Sequence, residues 1–201
     1  MSQILLITSS PRVDSYSTRV ARKLAEKLAS RPGSGLTERD LTRQPLPHID
    51  DSFAVARNTP PDRLTSAQKS ALSLSDKLLA ELFGADILII AAAMINFGIP
   101  SSLKAYIDYV VRPGVTFRYG TQGPEGLVKD KKAYLVAARG GAYSHDSMRA
   151  LNFQDTYLKT ALGFIGITDV EVIVVEGIAF GPEAAEKAFN AALARVDDIA
   201  P

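Results

Sequence analysis

Three short segments concentrate the residues able to do chemistry. The first, Ser9-Ser10-Pro11-Arg12-Val13-Asp14-Ser15-Tyr16-Ser17-Thr18, sets five small hydroxyl side chains, besides the tyrosine, ahead of a run with helical spacing. The free N–H groups and dipole of a helix N-terminus favour an anion, and serine hydroxyls add donors that can wrap a terminal phosphate. Capping of the helix by Ser15 or Ser17 is the plainer use of the same residues. The second, Met94-Ile95-Asn96-Phe97-Gly98-Ile99-Pro100, closes the longest apolar run with an amide, an aromatic and a glycine. Core packing accounts for its apolar members but not for Asn96 beside Gly98. The edge of a planar heterocycle does, because backbone groups exposed at a glycine turn reach its polar atoms while Met94 and Phe97 cover its face. The third, Arg139-Gly140-Gly141-Ala142-Tyr143-Ser144-His145, pairs glycines whose N–H groups a ligand can approach closely, or which serve only to turn the chain.

The same segments reject several chemistries. There is no G-x-x-x-x-G-K-[ST] for a nucleoside triphosphate, no G-x-G-x-x-G for a dinucleotide pyrophosphate, and no acidic pair after the first strand for a magnesium-dependent phospho-acceptor. A phosphomonoester held without metal is what remains. No G-x-S-x-G elbow accompanies His145 and Asp146, so His145 reads as a surface histidine rather than a hydrolase relay. The chain has no cysteine and two histidines, which excludes disulfides, thiolate nucleophiles and the common zinc sites and suits a reducing, cytoplasmic setting. A formal charge of +1 gives no field to draw nucleic acid or an anionic membrane. The apolar run Ile87 to Ile95 is about half the ~20 residues a bilayer requires, and the apolar start at Ile4 reads as a strand, not a signal peptide.

Regular elements must position these segments. Ile4 to Ile7 is wholly apolar, as in a strand covered on both faces. Val20, Ala21, Leu24, Ala25 and Leu28 then fall on one helical face, with Arg19, Arg22, Lys23 and Lys27 opposite. Leu36 to Leu41 reads as a polar edge strand, followed by an irregular proline-rich stretch through Pro45, Pro47, Pro60 and Pro61. A helix from about Leu64 stripes Ala71, Leu74, Leu78 and Leu82 and stops at Gly84. Asp86 to Ala93 is the central strand, and Ser101 or Ser102 is placed to cap a helix whose core face is Leu103, Tyr106, Ile107, Val110 and Val111. Tyr134 to Ala138 and Val170 to Val175 are further strands. Between them Phe153, Tyr157, Leu158, Ala161 and Leu162 mark a helix, and Ala185, Ala188, Phe189, Ala192 and Val196 mark the last one.

Five strands alternating with five helices imply an α/β, doubly wound parallel sheet with right-handed crossovers, in the common order 2-1-3-4-5. The 201 residues form one domain, 1–201. Ligands of such a sheet sit outside the carboxyl ends of the strands, where the three segments meet. The segment Gly114 to Gly126 is longer than an ordinary connection and alternates Val115, Phe117 and Tyr119 against Thr116 and Arg118. It is expected to form a small flap between the third helix and fourth strand.

At this point the sequence resembles a family. Met94-Ile-Asn-Phe-Gly-Ile-Pro100, Gly114-Val-Thr-Phe-Arg-Tyr119 with Gly123-Pro-Glu-Gly-Leu127, Arg139-Gly-Gly141, Gly163-Phe-Ile-Gly-Ile167, Glu176-Gly177 and Gly181-Pro-Glu183 together look like the FMN-dependent NADH-azoreductases, a flavodoxin-like family that also reduces quinones. The resemblance implies a homodimer with FMN, NADH or NADPH as electron donor, and azo compounds and quinones as acceptors. It places the phosphate loop on Ser10, Ser15, Tyr16 and Ser17, the flavin-edge loop on Met94, Ile95, Asn96 and Phe97, and the glycine loop on Arg139, Gly140 and Gly141. It puts Phe117, Tyr119 and Phe164 near the substrate. Ile95 departs from the tyrosine common in that family, which bears on substrate range rather than on the cofactor. Arg12, Arg118 and Arg139 are the candidate contacts for a 2′-phosphate. A flavodoxin-type electron carrier without its own substrate turnover is the alternative reading, and neither the near-zero charge nor the flap favours it.

Overall fold

The computed structural model describes residues 2–200; Met1 and Pro201, which the one-domain reading includes, lie outside the described residues. Its centre is a five-stranded parallel sheet of β1 (Gln3–Thr8), β2 (Gly35–Asp40), β3 (Ile87–Ala93), β6 (Lys132–Ala138) and β7 (Asp169–Val175), ordered β2-β1-β3-β6-β7. Counted along the chain without the flap strands, that is 2-1-3-4-5, as expected. Apolar runs specify it because both faces are covered. Leu5, Ile7, Leu88, Ile90 and Leu135 pack against helices α3 (Ser66–Gly84), α4 (Ser101–Val110) and α6 (Gln154–Ile165). Their alternating neighbours Ile4, Leu6, Ile89, Tyr134 and Val136 pack against α1 (Tyr16–Ala29) and α7 (Pro182–Asp198). Each such apolar side chain contributes roughly 1.5–3 kcal/mol by leaving water. The register pairs Ile7 with Ile90, Ile90 with Leu135 and Leu135 with Val172, so the loops after Thr8, Ala93 and Ala138 open along one edge.

Local chemistry departs from the sequence reading in several places. The proline-rich stretch contains a short helix, α2 (Asp51–Ala56), capped by the Asp50 carboxylate accepting from Phe53 N at 2.8 Å. Helix α3 starts later than Leu64, at a capping box: Gln68 N donates to Thr65 Oγ1, and Thr65 N donates to Gln68 Oε1. Its buried residues are Leu72, Ser75, Leu78, Leu79 and Leu82, with Ala71 and Leu74 only partly covered. Gly84 is its last helical residue rather than a left-handed stop, and Ala85 ends it with an extended backbone. Neither Ser101 nor Ser102 caps α4; Pro100 occupies that position, and Ser102 Oγ instead reaches Ser9 O at 3.3 Å. Phe153 precedes α6 and is exposed, while Gln154 takes the buried position. A one-turn helix, α5 (Asp146–Arg149), follows His145, which is exposed.

The expected flap is present as an antiparallel hairpin, β4 (Phe117–Gly120) with β5 (Gly123–Gly126). Buried Thr116 ties its base to α4, with Oγ1 donating to Val110 O at 2.8 Å and accepting from Arg112 N at 2.9 Å. The other strand of that base, at Gly126, lies directly on the end of α6. A Cβ added to Gly126 would stand 2.2 Å from Gly166 N and 2.3 Å from Ile165 C, both backbone atoms that cannot swing aside. Gly126→Ala is therefore expected to lower stability by about 2–3 kcal/mol, read as a lower urea midpoint, and to admit protease between residues 117 and 126. An unchanged midpoint together with an uncut hairpin would contradict the close approach.

Candidate functional site

Along the carboxyl edge of the sheet, a cleft of about 330 Å³ is lined by Ser10, Arg12, Ser15, Tyr16, Ala93, Met94, Ile95, Ala138, Arg139, Gly140, Ile178 and Ala179. This volume lies within the range of small-molecule sites. Eight of the residues singled out from the sequence thus meet in one place: Ser10, Arg12, Ser15, Tyr16, Met94, Ile95, Arg139 and Gly140. Ser17, Asn96, Phe97 and Gly141 adjoin the cleft through their chain neighbours without lining it.

At the first loop, Ser15 holds the N-cap position of α1 in an extended conformation but makes no capping hydrogen bond. Its Oγ lies 3.0 Å from Ser17 Oγ, and Ser17 is completely buried. Capping therefore does not explain these serines. The N–H groups of Tyr16, Ser17 and Thr18 open the helix with no acceptor among the described residues, which is the donor set an anion needs. Behind the loop, Thr8, Thr18, Asp40, Arg22 and Arg43 help line a smaller cavity of about 130 Å³ that shares Ser10 and Arg12 with the cleft. Burial raises the Asp40 pKa, but the Thr42 hydroxyl and the N–H groups of Thr42 and Arg43 outweigh it and hold the carboxyl below its usual value.

The second loop is a strained turn. Asn96 has φ 46° and Phe97 φ 72°, and the flanking residues close a two-residue hairpin, with Ile95 N donating to Gly98 O and Gly98 N to Ile95 O, each at 3.0 Å. Positive φ at both central positions defines a type I′ turn, which normally takes Asn-Gly. Gly98, the residue expected to turn the chain, does not take the left-handed conformation; Asn96 and Phe97 do. The N–H groups of Asn96 and Phe97 are consequently left without acceptors among the described residues. Ile95 reaches the cleft by its half-exposed side chain, its own N–H and C=O being used inside the turn.

In the third loop the carbonyls of Arg139, Gly140 and Gly141 accept from Ile178, Ala179 and Gly177 N at 3.3, 2.9 and 3.1 Å. In a trans peptide the N–H of the next residue points opposite to the carbonyl, so the Gly140 and Gly141 N–H groups face away from that turn and meet no acceptor among the described residues. Sequence reading missed Ile178 and Ala179. The brackets were visible as Gly177 and Gly181, which take φ of +77° and +123° on either side of that turn. The arginine differs more sharply from expectation. Only 2% of Arg139 is exposed, and its guanidinium is consumed by Gln154, Asp155 and Glu176, so it offers no free charge to a ligand. Arg118 is paired with Glu125 on the flap at 2.8 Å. Arg12 lines the cleft with no ion pair among the described residues.

The flap aromatics form a separate cluster. Phe117 packs against Phe164 with centroids 4.5 Å apart and against Tyr119 at 5.6 Å, and Tyr119 is 76% exposed. Within one chain none of the three lines the cleft. The aromatic that does line it is Tyr16, and Tyr143 stands edge-on to Phe97 with centroids 6.5 Å apart.

Three loops bordering one cleft thus carry N–H groups without acceptors among the described residues, at the start of α1, in the strained 95–98 turn and in the glycine loop. Over residues 2–200 the sequence matches the family described as having a flavodoxin-like fold. The chain belongs to it. This flavodoxin-like chain is 55% identical over its whole length to the FMN-dependent NADH:quinone oxidoreductase 1 of Rhizobium etli, covering 98% of that protein. It is 45% identical to the FMN-dependent NADH:quinone oxidoreductase of Herminiimonas arsenicoxydans, with both chains fully covered. Among solved structures, an azoreductase from Bacillus anthracis superposes with a TM-score of 0.88 at 30% identity, covering 98% of this chain and 97% of the other. An FMN-dependent NADH-azoreductase of the same species in complex with FMN superposes with a TM-score of 0.86 at 25% identity, with both chains fully covered.

The turn allows a direct test. Phe97→Gly places the favoured Asn-Gly pair in the turn and is expected to leave stability equal or raise it by up to about 1 kcal/mol, whereas Phe97→Val puts a β-branched residue at positive φ and should cost about 1–3 kcal/mol. Urea midpoints decide. Equal losses in both variants would mean that packing of the ring, not backbone strain, dominates at this position.

Proposed function

We propose that this chain is an FMN-dependent oxidoreductase that takes a hydride from NADH and delivers it to quinones and azo compounds, donor and acceptor using the same cleft in turn. The observation that carries the reading is the set of unpartnered N–H groups from three loops around one cleft, in a chain whose relatives are named for FMN-dependent NADH oxidation. The donor set suits this cofactor from end to end. Ser10, Ser15 and the N–H groups of Tyr16, Ser17 and Thr18 would hold the phosphate. Met94 and Ile95 would lie against the ring, and the Asn96, Phe97, Gly140 and Gly141 N–H groups would meet its polar edge. When bound, FMN supplies a ring that accepts a hydride from a nicotinamide and gives it to the second substrate. The chain's own work is to bind and orient, and to place donors where negative charge accumulates. No side chain is required as an obligatory acid or base. NADPH would serve through Arg12, which lines the cleft with no ion pair among the described residues.

The working unit in this reading is a homodimer. Ile95 lines the cleft, Phe97 adjoins it and Phe153 N–H is bonded to Phe97 O; all three side chains are exposed, as is Tyr119 on the flap away from the cleft, and a second copy would cover this apolar surface. Among the described residues no helix is long and apolar enough to cross a membrane. With no cysteine in the chain, the cytoplasm is the proposed setting.

Initial rates measured at several fixed concentrations of a benzoquinone against NADH test the shared cleft. Parallel double-reciprocal lines are expected, and intersecting lines would show both substrates bound at once. Light scattering at the assay concentration should give twice the chain mass; a fully active monomer refutes the dimer. For the phosphate end, Ser15→Ala removes one hydroxyl contact to an anion and should weaken FMN about 10- to 150-fold while leaving riboflavin nearly unaffected by calorimetry. Equal losses for the two ligands would move the phosphate elsewhere.

A further inference from the structure

We propose that Arg139 is a positioning residue rather than a cofactor ligand. Its buried guanidinium locks the glycine loop and the end of β3 together, so that the Gly140 and Gly141 N–H groups favour the reduced, anionic flavin over the oxidised one. This rests on the FMN reading above.

The guanidinium is a junction of three elements. Nε donates to Gln154 Oε1 at 3.0 Å, one terminal nitrogen to Asp155, and the other to Glu176 at 3.5 Å. Each partner passes the constraint on. Gln154, wholly buried, donates through Nε2 to Ala92 O at 2.9 Å, two residues before Met94. Glu176 accepts from Tyr143 N at 3.0 Å and Ser144 N at 3.2 Å, fixing the far side of the glycine loop. Asp155 accepts from Asn152 Nδ2 at 2.5 Å, and the next residue along, Phe153, donates its N–H to Phe97 O at 3.1 Å. One side chain thereby holds the glycine loop on both sides and is linked to the strained turn indirectly, through Gln154 to Ala92 at the end of β3 and through Asp155 and Asn152 to the segment whose Phe153 N–H binds Phe97 O.

Arginine suits this place for a physical reason. A buried charge is costly unless it is paired and hydrogen-bonded, and a planar fork can reach three acceptors at once, which a lysine ammonium on a flexible stem cannot do with the same geometry. Because the carbonyls of residues 139–141 are bound to the turn at residues 177–179, small rotations of the loop aim the Gly140 and Gly141 N–H groups directly. Hydrogen bonds to an anion weaken steeply when misaligned, and those to a neutral ring much less. Loosening the junction should accordingly be felt mainly by the reduced state.

The test uses Arg139→Lys, which keeps the charge and loses the fork, and Glu176→Gln, which keeps the shape and halves the charge-assisted contacts. Affinity for oxidised FMN is measured by flavin fluorescence, and the midpoint potential of the bound flavin by equilibration with a reference dye. Oxidised FMN should bind within about threefold of the unaltered protein, while reduced FMN weakens about tenfold more, lowering the midpoint by about 30 mV for a two-electron couple. An unchanged potential, with affinity for both states falling equally or not at all, overturns the positioning role and leaves Arg139 as scaffold. Should Arg139→Lys not fold, Glu176→Gln carries the same readout. An unaltered chain that takes up no FMN overturns the underlying functional reading and this inference with it, a result distinct from a potential that fails to move.

Discussion

Everything at the working edge follows from burying a parallel sheet on both faces. Strands β1, β3 and β6 have no exposed face to spare, so their side chains are apolar and chemistry is confined to where they end. Parallel strands end on the same side, and the crossover helices must begin there, so helix N-termini and strand carboxyl ends share one rim. The rim is accordingly built of backbone donors. Those of α1, of the 95–98 turn and of the glycine loop are left unpaired among the described residues because helices start, turns close and strands stop there.

Such a rim needs enforcement, because free donors at strand ends are also free to drift. Two devices supply it. The Asn96-Phe97 turn stores strain of about 1–3 kcal/mol per residue held at positive φ, and this persists because both ends of the hairpin are bonded and Phe97 O is bound by Phe153 N. The buried ion cluster around Arg139 ties that region to the glycine loop through Gln154 and Glu176. An ion cluster of this kind is weak evidence for stability, since its desolvation offsets much of its attraction. Its value here lies in fixing geometry.

The sheet was legible in the sequence because its strands are short apolar runs separated by helical periodicities, and strand order followed from the number of crossovers. The three loops were legible because their residue types have no use in a core. What escaped has physical reasons. Helices α2 and α5 span too few residues to show a period. Gly98 suggested a glycine turn, yet turn handedness depends on which residues the hairpin bonds enclose, and these enclose Asn96 and Phe97. Arg139 looked like available charge because its partners lie 15, 16 and 37 residues away, and nothing local marks them. Phe117, Tyr119 and Phe164 were legible as an aromatic set but not as one that stands apart from the cleft of its own chain.

In the proposed function, backbone N–H groups from three separate loops converge on one FMN molecule. Amide hydrogen exchange of the chain with and without saturating FMN addresses it residue by residue. Slowed exchange is expected at Tyr16, Ser17, Thr18, Asn96, Phe97, Gly140 and Gly141, with little change at the hairpin of residues 117–126 beyond its contact with α6. Protection confined to one loop, or centred on other residues, would contradict the convergence on which the functional reading stands.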